Sequence, residues 1–223
     1  MSLRGLDEES RLLLKRIVEG FAWRQIATMN ILGHCLKFVT DLETKLRVAN
    51  ELDLSIRLFN EVAGLYEDLG WEEIETAVRD RVDDVPYPGS RIEFGLAYYL
   101  TGLAERVAMD AYVGCVVPAF AGIALSYVDA STGRPEPSRF LEFSQEEANR
   151  PQAQAYVNRW LGISLLALGR PGTDADRNAV AKGLVTRSSK ELQEDFMQLV
   201  RPFLERTGMT VPPLGDAGIQ LDA

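Results

Sequence analysis

Hydrophobic positions recur at three- and four-residue spacing along most of this chain, the spacing that gathers them on one face of an α-helix. The pattern predicts long helices over 8–38, 41–69, 91–129 and 145–168, and shorter ones over 72–82, 174–184 and 189–207. Four boundaries carry a Ser/Thr-x-x-Glu capping box, which satisfies orphan N–H groups where a helix begins. These are Thr40–Glu43, Ser90–Glu93, Ser144–Glu147 and Ser188–Glu191. Gly70, Gly133, Gly169 and Gly208 are placed as C-terminal stops. The segments 83–89 and 131–137 are rich in helix breakers and read as loops. No alternating strand pattern is present.

Four long helices, with the longest connection between the second and third, predict an all-α fold of the ferritin-like type. It is a four-helix bundle with one long crossover and additional C-terminal helices. The bundle is expected over 1–208 and an extended tail over 209–223.

The second helix has two apolar stripes, one through Leu42, Leu46, Ala49, Leu52, Ile56, Phe59 and Ala63, the other through Leu54, Leu58, Val62, Leu65 and Leu69. A helix apolar on two faces is expected to be enclosed, so Glu51, one turn before the second stripe, should be partly buried. A buried carboxylate needs a partner, because desolvating an unpaired charge costs several kcal/mol or forces protonation. Glu147 and Arg150 head a similar stripe of Val157, Leu161, Ser164 and Leu168. The competing reading makes Glu147 the solvent-facing capping glutamate of Ser144, and Pro151 in the first helical turn supports it. Glu105 falls on the line Phe94, Tyr98, Thr101, Ala108, Tyr112 as a third inward candidate, or is an exposed charge beside Arg106. Glu19 and Gln25 are weaker candidates. His34, the one histidine, reads as a packed or surface residue.

Di-iron bundles repeat a Glu-x-x-His pair. Here the corresponding positions read Glu51-x-x-Leu54 and Glu147-x-x-Arg150. An Arg150 guanidinium in the space of a metal would bridge Glu147 and Glu51 through its planar fork.

The net charge of −9 argues against a nucleic-acid partner, while leaving room for a local basic pocket. Cys35 and Cys115 lie in apolar helical contexts and read as reduced core residues. The acidic N-terminus lacks a signal-peptide core. The apolar stretch from Ala111 to Val128 contains Gly114, Pro118 and Gly122 and falls short of a membrane span. The expected location is the cytoplasm. No nucleophilic triad and no phosphate-binding glycine loop is present.

The C-terminal third carries Asn158-Arg159-Trp160, then Leu165-Leu166-Ala167-Leu168-Gly169, then Ser188 to Phe196, and closes on Gly208-Met209-Thr210-Val211-Pro212. Together with Glu146-Glu147 and the segment from Leu46 to Gly70, this resembles the catalytic large subunit of bacterial phenylacetyl-CoA ring epoxidase, over roughly 15–215. The resemblance implies a ferritin-like fold, a setting in phenylacetate catabolism, coenzyme A thioester ligands, two irons, an electron-donating reductase and a sister subunit. Glu51 and Glu147 match the motif glutamates, Leu54 and Arg150 replace the histidines, and Glu105 matches the third-helix carboxylate loosely.

Three functions stay open. The first is a non-catalytic structural or regulatory paralogue with no cofactor, paired with itself or with a sister subunit. The second is a metal-dependent oxidoreductase whose rearranged carboxylates, Glu51, Glu105 and Glu147 with or without His34, hold iron or manganese. The third is an acyl-CoA binder, with Tyr98, Tyr99, Tyr112 and Phe120 as walls beside a helix loosened by Gly102, Gly114, Gly122 and Pro118. The competing reading of those residues is core packing around a tolerated kink.

Overall fold

The computed structural model describes residues 5–130 and 133–211. Its helices are α1 (Glu8–Cys35), α2 (Leu42–Asp68), α3 (Ile74–Asp83), α4 (Arg91–Val113), α5 (Pro118–Ala130), α6 (Ser138–Gln145), α7 (Arg150–Ala167), α8 (Asp174–Ala181) and α9 (Ser189–Thr207). Single 3-10 turns follow α1 at Leu36–Phe38 and precede α7 at Glu147–Asn149. No strand occurs among the described residues, so the fold is an all-α bundle.

Side-chain caps start most of these helices, although not always at the expected residue. Ser188 forms the full capping box with Glu191, each side chain bonding the other's backbone N–H. Ser90 caps α4 by accepting from the Glu93 amide at 3.1 Å. The Glu93 carboxylate instead accepts from Gly89 N–H at 2.8 Å and from the buried Trp160 indole at 3.0 Å. Asp41, not Thr40, caps α2 by accepting from Thr44 N–H at 2.8 Å. The Thr40 hydroxyl accepts from Arg91. The box at Ser144 is corrected. Ser144 is buried inside α6, its hydroxyl donates to Leu141 O, and α7 begins only at Arg150, with Pro151 in its first turn. Gly208 ends α9 at φ +67°, a left-handed conformation that glycine adopts without Cβ strain.

The helix expected over 91–129 is two helices. Gly114 caps α4, and Pro118 opens α5, a first-turn position where its missing N–H costs nothing. The intervening turn is pinned by Val116 N–H to Gly183 O at 2.9 Å and Thr186 N–H to Ala111 O at 3.1 Å. A Cβ on Gly114 would lie 2.4 Å from Thr186 Cγ2, so the close approach requires glycine. Helix α5 packs on both α4 and α2.

Helix α4 also packs on α6, α7 and α9, while α1 packs on α2 and α3. One contiguous core results, with Phe21, Tyr66, Phe120, Phe140, Trp160, Phe196 and Phe203 almost fully enclosed. Burying each such ring stabilises the fold by about 1.5–3 kcal/mol. The aromatic residues considered as ligand walls pack as core. Phe120 meets Phe21 and Tyr112 edge-on or tilted, and Tyr99 meets Phe203. Burial pushes the Cys35 thiol up to about 12, and both cysteines are free and buried.

Helix α2 is not enclosed on both faces. The stripe through Leu58, Val62, Leu65 and Leu69 is buried, but Leu42, Leu46, Ala49 and Ile56 are exposed, Leu42 at 71%. No helix among the described residues is long and apolar enough to cross a membrane. Beyond Gly208 the chain leaves the helix. Thr210 is held by Gln154, and the remainder of the expected tail, 212–223, lies outside the described residues.

Candidate functional site

Tyr98, Thr101, Gly102 and Glu105 stand on one face of α4, at the i, i+3, i+4, i+7 spacing of a helical stripe. Glu51 and Leu54 of α2 face the same space, a cavity of about 220 Å³ that Glu105, Tyr127 and Arg134 also line. Arg134 belongs to the loop between α5 and α6, which the turn at 114–117 returns to this part of α4. Its side chain, 7% exposed, enters between the two carboxylates.

The guanidinium is bonded on nearly every side. Nε donates to Glu51 Oε2 at 2.7 Å and Nη2 to Glu105 Oε2 at 3.4 Å. Nη1 donates to Tyr98 O at 2.9 Å and to Thr101 Oγ1 at 3.1 Å. The remaining carboxylate oxygens are also engaged. Tyr98 OH donates to Glu51 Oε1 at 2.6 Å, and Gln25 Nε2 of α1 donates to Glu105 Oε1 at 2.6 Å. Arg134 Cζ lies 4.5 Å from the Tyr98 ring centroid, within cation–π range. Burial works against the Arg134 charge, but Glu51 and then Glu105 outweigh it and hold the group above the ordinary arginine value. Burial, reinforced by Glu51, likewise raises the Tyr98 phenol above the usual tyrosine range. The tyrosine therefore stays a donor at neutral pH.

Gly102 makes the seat. A Cβ there would lie 2.2 Å from Arg134 Cδ and 2.6 Å from Nε, so the side chain crosses α4 where α4 has no side chain of its own.

Of the five positions predicted from sequence, Glu51, Leu54 and Glu105 come together at this cavity. Glu147 and Arg150 do not. Glu147 sits on the 3-10 turn before α7, Arg150 is the first residue of α7, and both are exposed. The expectation that Arg150 fills the centre is therefore corrected, and Arg134 fills it. The physical reason lies at the boundary. The stretch 138–145 forms α6, so Glu147 and Arg150 fall in the reversal between two helices rather than within one. Gln25 proves to be a site residue, while Glu19 accepts from Tyr66 instead. His34 packs against Tyr87 and Phe38, with ring centroids at 4.7 and 6.1 Å.

Arg134 carried no sequence signal of its own, since an arginine between Gly133 and Pro135 reads as a solvated loop charge. The usable hints were indirect: Gly102 in the inward line of α4, and Val116-Val117 before Pro118, where proline disfavours helix in the residue preceding it.

As a donor set for a pair of irons this arrangement does not fit. It offers two carboxylates, both already bonded, and a guanidinium that repels cations, with no imidazole in the cavity lining. Among the described residues no three His, Cys, Asp or Glu side chains form a metal-holding group. Comparison with known proteins returns no matching family model and no matching curated protein.

Proposed function

We propose that this chain is a non-catalytic structural or regulatory member of the ferritin-like oxygenase scaffold, resembling the phenylacetyl-CoA epoxidase large subunit. In it an arginine takes the place of the metal centre. The observation that carries this reading is Arg134, held between Glu51 and Glu105 over the notch at Gly102. A cation seated there neutralises the carboxylates that would otherwise attract iron, and its fixed charge cannot change oxidation state. The network holds α2, α4 and the loop after α5 in one register.

The exposed line Leu42, Leu46, Ala49 and Ile56 supports a partner for α2, either a second copy or a sister helical subunit.

Elemental analysis tests the reading directly. Full-length protein purified from cells supplied with iron and manganese is expected to hold well under one metal per chain. About two metals per chain, the complement of a di-iron centre, would overturn it.

A further inference from the structure

A groove of about 240 Å³ runs between α1, the end of α7 and the segment around α8 and the start of α9, and five arginines line it. They are Arg16, Arg24, Arg81, Arg170 and Arg187. In a chain of net charge −9 such a gathering is not a solvated average. None of the groove residues lines the Arg134 cavity.

Only Arg187 has carboxylate partners, Asp110 and Asp195. Among the described residues, Arg16, Arg24, Arg81 and Arg170 form no ion pair. Asp176, the one carboxylate lining the groove, accepts from Ser189 N–H. Glu19, which draws on Arg81 from nearby, is held by Tyr66 and Lys15.

Arg24 is the telling residue. It is 9% exposed, Nη1 donates to Ala167 O at 3.1 Å, Nη2 donates to Tyr112 OH at 3.3 Å, and Nε has no protein partner. A buried cation with only neutral hydrogen-bond acceptors is expensive, and Glu105, the carboxylate that shares a small neighbouring pocket with Arg24, is already bonded by Arg134 and Gln25. Its like-charged neighbour Arg81 stacks over Trp23, with Cζ 5.2 Å from the ring centroid. Partial desolvation, and after it the Arg24 charge, lower the Arg81 guanidinium from its ordinary value. Gly20, between Arg16 and Arg24 on the same face of α1, has no side chain to cover them.

We propose that this groove binds a small soluble phosphate-bearing molecule, its phosphate oxygens bonded by Arg24 at the floor and by Arg16, Arg81 and Arg170 at the rim. Planar guanidinium forks match phosphate oxygens in pairs. The volume lies below the 300–1,000 Å³ usual for drug-sized ligands, which suits a diphosphate or a phosphorylated sugar rather than a larger cofactor. The overall negative charge disfavours a nucleic-acid backbone.

Inorganic pyrophosphate is the probe, titrated calorimetrically into the full-length chain at fixed ionic strength. Saturable binding is expected, weakened about tenfold or more by each of Arg16→Gln, Arg81→Gln and Arg170→Gln, since each removes a charge-assisted hydrogen bond. These side chains are exposed, so the variants keep the core that an Arg24 substitution would disturb. Arg57→Gln, which alters the other cavity, is expected to leave the affinity unchanged. Lack of saturation at about 10 mM probe, weaker than any useful affinity, would overturn the assignment. So would an equal loss in Arg57→Gln, or cosedimentation with phosphatidic acid vesicles without a response to pyrophosphate. Metal content has no bearing on this test, so its failure is separable from failure of the functional reading.

Discussion

Removing the guanidinium of Arg134 leaves Glu51, partly buried, and Glu105, buried, lining one cavity without their shared cation. Breaking a buried pair by deleting one partner typically costs about 3–5 kcal/mol, because the charge left behind is uncompensated. Arg134→Ala is expected to lose that much in urea unfolding, and Arg150→Ala, an exposed side chain at the start of α7, less than about 0.5 kcal/mol. The reverse order would refute the network. Gly102→Ala disturbs the same seat, so its cost should shrink when combined with Arg134→Ala, as it does for residues in direct contact. At this scale the sequence showed the acids and hid the base. Glu51 and Glu105 sit in register with apolar neighbours, and periodicity exposes that. Arg134 has no periodic neighbours, and only the path of the chain brings it inward.

Two helix ends carry a pH-dependent part of this protein's stability. The Thr44 hydroxyl and amide hold Asp41 down to about 2 from the usual 3.8, and the Ser10 amide, with Lys182, does the same for Asp7. Both groups bind protons more weakly folded than unfolded. Their stabilisation is complete above the unfolded value near 3.8 and is lost as pH falls toward 2. The urea midpoint is therefore expected to drop across that window. Asp41→Asn, which keeps a capping oxygen that does not titrate, should flatten the drop, and an unchanged slope would count against the cap. Capping chemistry was legible where serine directly precedes the helix, as at Ser90 and Ser188, and was placed one residue early at Thr40, where Asp41 is the cap. It misled at Ser144, which lies inside α6 while Glu147 falls on the 3-10 turn beyond it, so the spacing imitates a box across a helix end. The turn between α4 and α5 was read through because its apolar run fits one long helix as well as two. What decides is the hydrogen bonding of Val116 and Thr186 to and from residues about seventy positions away, which periodicity does not report.

As a whole the described residues form a bundle with a contiguous core and a bare stripe, Leu42, Leu46, Ala49 and Ile56 on α2. Hydrophobic pattern alone suggested that this stripe was enclosed, because a periodicity reports that a face is apolar and not what covers it. If a second copy covers it, sedimentation equilibrium will give a multiple of 24.8 kDa, and Leu46→Glu will return the single-chain mass. A wild-type single-chain mass would remove self-association and leave the sister subunit.

The turn at Gly114–Val117 also sets an order of assembly. Arg134 reaches Glu105 across 29 positions but Glu51 across 83. Closing the shorter loop costs less chain entropy, so the cation is expected to meet Glu105 within a local hairpin before α2 delivers Glu51. The late-arriving contact belongs to the native state more than to the barrier. Glu51→Gln should therefore hasten unfolding while leaving the folding rate nearly untouched.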